Sequence, residues 1–480
     1  MNVSALITLI VYACVLLGVG VWAARKSQSE DSFLLGGRSL GPWVAGLAYA
    51  ASSSSAWVLL GFSGFVYAVG VSAVWMVPGI LAGYAVIWLW SGPVLQKASL
   101  EGGNLTLTDF LTHGADKRIA AFIKIAASLM IAFCFSYYVA SQFQGAGVAF
   151  DGLFGTGLST GVLIGAAIIL AYTFFGGFLA VSVIDTIQGI LIGVVAVILP
   201  VLAFLEAGGF SGLKEAISIV SEDPNSQNFL HVFGGRTGWI ACGFVTGLMA
   251  TGFGALGQPH LTAWIMATKD TKSRITGAFV AIGWGAVVYA GMAVLGLSAR
   301  AILGNEAEAE SIFFVLAGDL LPMILSGVIA AATLSAIMST VDSQLLVAGA
   351  SISHDLGVSR IFKGRDVLAL RCGILVVCIA AVLITLNFPS SIFARTLFAW
   401  VALGASFGPT VVVRSVGRVP KGWAVLASIL IGFALSLLFE FVLEAGPGAV
   451  WARSIPWIGA FLPFIVSEVM PALLRKSVTN

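Results

Sequence analysis

The sequence predicts an all-α polytopic membrane protein of about thirteen transmembrane helices, built as two inverted groups of five behind one extra amino-terminal helix. Three observations carry this. The 480-residue chain is 59% hydrophobic and only 10% charged, with a mean hydropathy of +1.02, which is far too apolar for a water-soluble fold. Its apolar runs are long enough to cross a hydrocarbon layer of ~30 Å. Two of those runs are interrupted by small and polar residues at matching places in the two halves, the pattern of an inverted-repeat transporter with its site at the midplane.

In chain order the runs lie near 3–23, 44–68, 72–95, 119–148, 156–176, 179–205, 237–266, 275–299, 314–351, 367–388, 392–413, 422–443 and 455–472. They divide one transporter domain, 1–480, into an extra helix (1–30), a first five-helix repeat (40–206), a second repeat (237–413) and two carboxyl-terminal helices (414–480). The first run has neither a basic start nor a small-residue cleavage site, so it reads as a retained helix. With the amino terminus outside, 19 of the 24 Lys and Arg fall on the cytoplasmic side; Lys214, Arg236, Arg300, Arg395 and Arg453 remain on the other. This places the chain in the cell (inner) membrane with its carboxyl terminus in the cytoplasm. The outer loops 206–236 and 300–319 carry Glu215, Glu222, Asp223, Glu306, Glu308 and Glu310, patterned for short amphipathic helices.

The second run holds the first interruption, Ser52, Ser53, Ser54 and Ser55. At roughly 100° per residue four serines point around a whole helix, so they cannot share one neighbour. Either the backbone unwinds there and frees carbonyls for a hard cation, or the serines form a small-residue packing seam. The second interruption is TGFGALGQPH, Thr251 to His260. Each Gly costs ~1 kcal/mol against Ala and Pro ~3 kcal/mol, which predicts a broken helix.

The ninth run carries Ala336, Ser339 and Thr340, at i, i+3 and i+4, so that a carbonyl and two hydroxyls can converge on one face. Hydroxyl and carbonyl oxygens suit Na⁺ without adding fixed charge; alternatively the two hydroxyls bond back to carbonyls one turn earlier. Asp185 is an acid inside an apolar run, and such carboxylates are expensive and usually functional. With Asp342 and Ser343 it forms either a second cation site or a proton-sharing pair, unless both acids sit solvated at the membrane boundary. Arg38 reads as a topology residue or as one that influences release at the inner side. Tyr138 and Gln142, one turn apart, together with Trp57 and Trp400, are candidate walls of a solute pocket, set against the ordinary roles of membrane aromatics in packing and interface belts.

Other chemistries are poorly represented. There is no GxxxxGK[ST] run, so energy has to come from an ion or solute gradient. Cys14, Cys134, Cys242, Cys372 and Cys378 lie in apolar runs without CxxC spacing. His113, His231, His260 and His354 have no metal or nucleophile partner at motif spacing, so an enzyme is not expected.

The chain resembles the sodium/solute symporter family, and within it the sodium/proline symporters. The resemblance rests on FLLGGRSLGP at 33–42, TFFGGFLAVS at 173–182 followed by Asp185, GQPH at 257–260, MST with SQLLV at 338–347, and FAWVALGASFGP at 398–409. It implies a leucine-transporter-like five-plus-five fold working by alternating access, and a Na⁺ site formed by the carbonyls of Ala51 and Ser54 with Ala336 and the hydroxyls of Ser339 and Thr340. It further implies a sodium-coupling role for Asp185 and a second sodium at Asp342 and Ser343. Solute-binding positions are then Ser55, Trp57, Tyr138, Gln142, Thr251, Ala255, Gln258 and Trp400. The proline symporters it resembles carry Asp where Ser53 stands, and Trp and Tyr where Thr251 and Ala255 stand, so two aromatic walls of the pocket are missing.

The function so read is sodium-coupled symport of a small organic solute, an amino acid such as proline first. The alternatives are coupling to protons, or a carboxylate, sugar or compatible solute as cargo. A non-transporting sensor ranks last, since no signalling module follows Asn480. The expected partners are Na⁺, the solute and membrane lipid, not nucleic acid, with a monomer sufficient for transport.

Overall fold

The computed structural model describes residues 3–24, 30–220, 228–322, 325–362, 365–388, 390–444, 449 and 451–478; Arg25, Lys26, Glu222, Asp223 and Lys363 lie outside them. Its helices run in the order α1 (Val3–Ala24), α2 (Glu30–Leu35), α3 (Pro42–Ala56), α4 (Ser63–Val69), α5 (Met76–Ala85), α6 (Gly92–Leu100), α7 (Leu107–Thr112), α8 (Lys117–Phe154), α9 (Leu158–Glu206) and α10 (Gly209–Val220). They continue with α11 (Gly238–Ala250), α12 (Pro259–Met266), α13 (Thr271–Leu303), α14 (Ile312–Leu320), α15 (Ser326–Ala350), α16 (Asp366–Asn387), α17 (Ile392–Ser415), α18 (Gly422–Leu437) and α19 (Ile455–Val478). Among the described residues there is no strand, only an isolated bridge between Leu40 and Thr268.

Nine helical stretches among the described residues are long and apolar enough to cross a membrane, and Ile7–Trp22, Leu158–Ala171 and Ile455–Glu468 are shorter apolar helices. The stretch Pro42–Leu100, 59 residues, is far longer than one crossing needs. It doubles back instead: Arg38, before its start, donates from Nε to Ser99 Oγ near its end at 2.9 Å, and the reversal falls at Gly70, whose φ of +76° favours glycine. The expected boundary between the runs 156–176 and 179–205 also appears. The helical backbone of α9 is broken at Gly177, with φ 63° and ψ −177°.

The expected run 314–351 is not one helix. Ile312–Leu320 is a separate short helix, and α15 begins only at Ser326. Leu321 turns extended immediately before Pro322, as the residue preceding a proline tends to do, so the first part of that apolar run forms a separate short helix.

Burial sorts the helices. In the most apolar 18-residue window of Gly327–Asp355, 94% of residues are buried, against 28% in Gly422–Val442; α15 is therefore a central element and α18 a peripheral one. Around α15 pack α3, α8, α9 and α16, while α1 lies across the seam between α9 and α15. Where the second interruption crosses α5, the backbones touch: a Cβ on Gly252 would stand 1.8 Å from the Gly79 carbonyl oxygen. Only glycine permits that approach.

Candidate functional site

The first interruption is a true break. Ser55 has φ 27° and ψ −177°, outside the helical region, and the chain resumes as a wide turn from Trp57 to Phe62. The freed backbone finds side chains. The Ala56 N–H donates to Gln142 Oε1 at 2.9 Å, and Trp57 N–H donates to Ser55 Oγ at 3.2 Å. Buried backbone groups that lose helical partners must be paired in this way.

All four serines are buried; Ser53 and Ser54 share the Ala50 carbonyl, while Ser52, Ser53 and Ser55 reach three different neighbouring helices. Ser52 Oγ is 2.6 Å from Ser343 Oγ on α15. Ser53 bonds the Tyr84 hydroxyl on α5, Ser54 Oγ donates to the Ala50 carbonyl at 2.7 Å, and Ser55 Oγ lies 3.4 Å from the Tyr138 hydroxyl on α8. The run is thus both an unwound segment and a polar seam, and the two readings left open by the sequence coexist.

Opposite it, α15 presents its hydroxyl pair. Ser339 Oγ donates to the Ala51 carbonyl at 3.2 Å and lies 3.3 Å from the Ala336 carbonyl. Thr340 Oγ1 donates to the Ser52 carbonyl at 2.8 Å and lies 3.3 Å from the same Ala336 oxygen. Five uncharged oxygens from segments 288 residues apart therefore meet in a fully buried spot. Each hydroxyl thus reaches both its own previous turn and the partner helix. The Ser54 carbonyl, expected in the same set, accepts the Trp57 N–H. The Ser52 carbonyl, which the sequence reading did not single out, joins the group.

One turn further, Asp342 and Ser343 continue the polar face. Asp342 Oδ1 accepts from Ser343 N at 2.6 Å, and Ser343 Oγ reaches the Thr340 carbonyl at 2.9 Å. Asp185 on α9 is fully buried, with neither carboxylate oxygen hydrogen-bonded, and it lies near enough to Asp342 for the two acids to interact. Neither acid is solvated at a boundary. Tyr12, from the extra helix α1, lies within electrostatic range of both acids; its hydroxyl is 2.6 Å from Ser335 Oγ and accepts from Gln188 Nε2 at 2.9 Å. Its signal in the sequence was a lone hydroxyl within an apolar run.

The second interruption, Thr251–Gly257, is a tight helical turn closed by extended backbone at Gln258, φ −84° and ψ 110°. Trp400 on α17 clamps it. Its Nε1 donates to the Thr251 carbonyl at 2.7 Å, and a Cβ on Gly254 would fall 2.1 Å from that nitrogen. Gln258 returns the contact, donating to the Trp400 carbonyl at 2.9 Å. Thr251 and Ala255 are both buried, so the indole of Trp400 lies over the segment where two aromatic side chains are absent. Trp57 packs against Phe62, Tyr289 and Phe393 in an aromatic cluster beside the first break.

Of the expected solute positions, Ser55 and Tyr138 face each other, Gln142 is committed to the broken backbone, and Trp400, Thr251, Ala255 and Gln258 belong to the second break. Arg38 bonds Ser99, Asn104 and Asp31, tying the loop before α3 to the end of the returning helix.

Comparison with known proteins identifies the family and the fold. Residues 33–418 match the sequence profile of the sodium:solute symporter family. The high-affinity proline transporter of Bacillus subtilis (strain 168) is 31% identical over 448 residues, which cover 90% of this chain and 93% of that protein. The sodium/proline symporter of Escherichia coli (strain K12) is 30% identical over 491 residues, covering 98% and 91%. Among solved structures, a Na⁺-coupled sialic acid symporter in a substrate-bound outward-open state superposes with a TM-score of 0.79 at 16% identity, covering 97% of this chain and 98% of that one. Mhp1, a nucleobase-cation-symport-1 family transporter in a closed conformation with bromovinylhydantoin bound, gives 0.61 at 15% identity, covering 92% and 95%. At such identities these two likenesses bear on the fold alone.

Proposed function

This chain belongs to the sodium:solute symporter family and is a sodium-coupled symporter; we propose that its cargo is a small amino acid, proline first, carried inward by alternating access. The curated relatives named above are proline transporters, which supports that choice of solute. The carrying observation is the meeting of the Ser339 and Thr340 hydroxyls with the carbonyls of Ala51, Ser52 and Ala336. This donor set is hard, uncharged and buried, and suits Na⁺ as the coupling ion. Because one side of it is the broken segment, a cation bound there fixes the same backbone that carries Ser55 and Trp57 into the solute region. Ion and solute then raise each other's affinity by one shared factor.

The two-repeat division, 40–206 and 237–413, accounts for the paired breaks, each held by a polar side chain from a neighbouring helix: Gln142 at the first, Trp400 at the second. The orientation follows from the positive charge, with the amino terminus outside and the carboxyl terminus in the cytoplasm. A monomer contains every group used here.

The fully buried carboxylate of Asp185 beside Asp342 favours a second coupling site with Asp342 and Ser343, for another Na⁺ or a proton. The deciding experiment is uptake into proteoliposomes across a panel of amino acids under an imposed Na⁺ gradient, a pH gradient, or both. Uptake that ignores Na⁺ under every condition defeats the reading; uptake driven by the pH gradient alone transfers the coupling to the acid pair.

A further inference from the structure

Arg395 is the most completely buried arginine among the described residues, and the coupling scheme leaves it unused. It stands at the fourth position of α17, after the Ser391 cap, and its side chain has no exposure to solvent. A cation in the first turn of a helix opposes the helix dipole, and a buried guanidinium is costly unless its donors are paired. Only one end has a partner in close geometry. Nη1 donates to Gln144 Oε1 at 3.0 Å, while Nε and Nη2 are buried without a hydrogen-bond partner. These two nitrogens form the side-on edge of the guanidinium, the fork that grips a carboxylate by two parallel bonds.

The nearby groups do not fill that fork. Tyr137 offers its ring, 5.9 Å from the guanidinium carbon, and its hydroxyl lies near enough to share a loose hydrogen bond with the guanidinium, yet neither Nε nor Nη2 meets a partner in close hydrogen-bond geometry. Glu310, the acid whose field reaches Arg395, spends its oxygens on the backbone N–H groups of Ile392 (3.1 Å) and Phe393 (2.9 Å). It lies outside salt-bridge reach of Arg395 among the described residues.

The residues beside Arg395 on α17 border the solute region. The next residue, Thr396, is hydrogen-bonded to Ser141 at 2.8 Å, and Ser141 accepts from the Gln142 amide that holds the broken segment. One turn earlier, Ile392 and Ala56 flank the same glycine, Gly145. Trp400 follows Arg395 by five residues, about 7.5 Å along the helix.

We infer that the Nε/Nη2 edge of Arg395 is a carboxylate-recognition site for the transported solute, on the amino-terminal side of Trp400, and that it selects carboxylate-bearing solutes over their neutral analogues. This rests on the reading of the chain as an amino-acid symporter and narrows the chemical class of its cargo. Arg395 is in this sense a specificity-determining residue.

The test compares proline, prolinamide and prolinol, as uptake in proteoliposomes and as Na⁺-dependent thermal shift of the purified full chain. Wild type and Arg395→Gln are run side by side, with Arg395→Lys to separate charge from fork. The wild type is expected to prefer proline. In Arg395→Gln the half-saturating proline concentration should rise about tenfold to a hundredfold, as for loss of a charge-assisted bidentate pair, with the preference over prolinamide abolished. Arg395→Lys should recover only part of it. The half-saturating Na⁺ of the thermal shift without solute should stay unchanged in both variants, which also reports folding. Full carboxylate preference in Arg395→Gln overturns the assignment. A wild type that takes up none of the three compounds refutes the amino-acid reading instead. The fork is then judged by thermal shift against mono- and dicarboxylates and their amides: absence of a carboxylate preference in the wild type, or its survival in Arg395→Gln, rejects it.

Discussion

Replacing Ser339 and Thr340 together by alanine removes two of the three hydroxyls that α15 offers to the broken helix, Ser343 being the third, and with them two of the five oxygens that surround the proposed ion position. In the intact protein those hydroxyls reach the Ala51 carbonyl at 3.2 Å and the Ser52 carbonyl at 2.8 Å. At about 1–1.5 kcal/mol for each ligand oxygen, the pair is worth about 2–3 kcal/mol. With tenfold for every 1.4 kcal/mol, the half-saturating Na⁺ concentration should rise by about 30- to 150-fold. The double variant also gives up two hydrogen bonds in the absence of Na⁺, so absolute stability is a poor readout. The informative quantity is the gain in apparent Tm on adding Na⁺, which follows the logarithm of ion concentration over its dissociation constant, together with the Na⁺ titration of uptake. At a fixed, subsaturating Na⁺ concentration the solute affinity should fall as well, since the coupling is reciprocal. A well-folded variant with an unchanged Na⁺ midpoint in both assays would refute the ion position.

Four other outcomes follow from particular residues. Asp185→Asn should leave the Ser339/Thr340 midpoint in place while reducing the Na⁺ Hill slope of uptake towards one, or removing its response to a pH gradient; a variant identical to wild type in both respects would show that the acid pair carries no coupling ion. Gln142→Leu strips the acceptor from the Ala56 N–H at the first break and should cost about 1–3 kcal/mol, read as a lowered apparent Tm with impaired uptake. Gly252→Ala puts a methyl group 1.8 Å from the Gly79 carbonyl oxygen; backbone must shift, at about 1–3 kcal/mol or more, and normal expression and unfolding of this variant would contradict the close crossing. In the first turn of α7, burial acts to raise the Asp109 carboxyl, but His354 and Lys124, at 3.4 and 2.8 Å, outweigh it and hold it below its ordinary value of 3.8. Its contribution is therefore present above pH 3.8 and lost as the pH falls further, so Asp109→Asn should lower Tm at pH 7 and match wild type in strong acid.

Much of the site was legible because its residue types are costly where they stand. Four serines in an apolar run, three glycines and a proline in ten residues, and a carboxylate within a span have few bland explanations, and each lies at a break or a polar junction. Other parts were not legible. The run 314–351 looked continuous because apolar residues fill both a short helix and a span; only the chain turn before Pro322 separates them. Ser52 was indistinguishable from its neighbours in a row of identical residues, although its carbonyl and hydroxyl both meet α15. Gln142, expected as a solute contact, is spent on backbone, because an N–H released by unwinding needs an acceptor before a pocket needs a wall. Arg395 was counted as a charge on the outer side, and nothing in its sequence neighbours announces that its side-on edge is buried and unpaired.

By itself the sequence determined that the chain crosses a membrane many times, that two helices break, and which residues carry oxygen at those breaks, because hydropathy, glycine and proline act locally. Which oxygens meet was decided only by tertiary structure. Ala51 and Ser339 are 288 residues apart, and the face each presents depends on how α3 and α15 rotate against each other when their apolar sides pack. Local rules fix where a helix stops, whereas the partner of a freed carbonyl is fixed by the packing of the whole bundle.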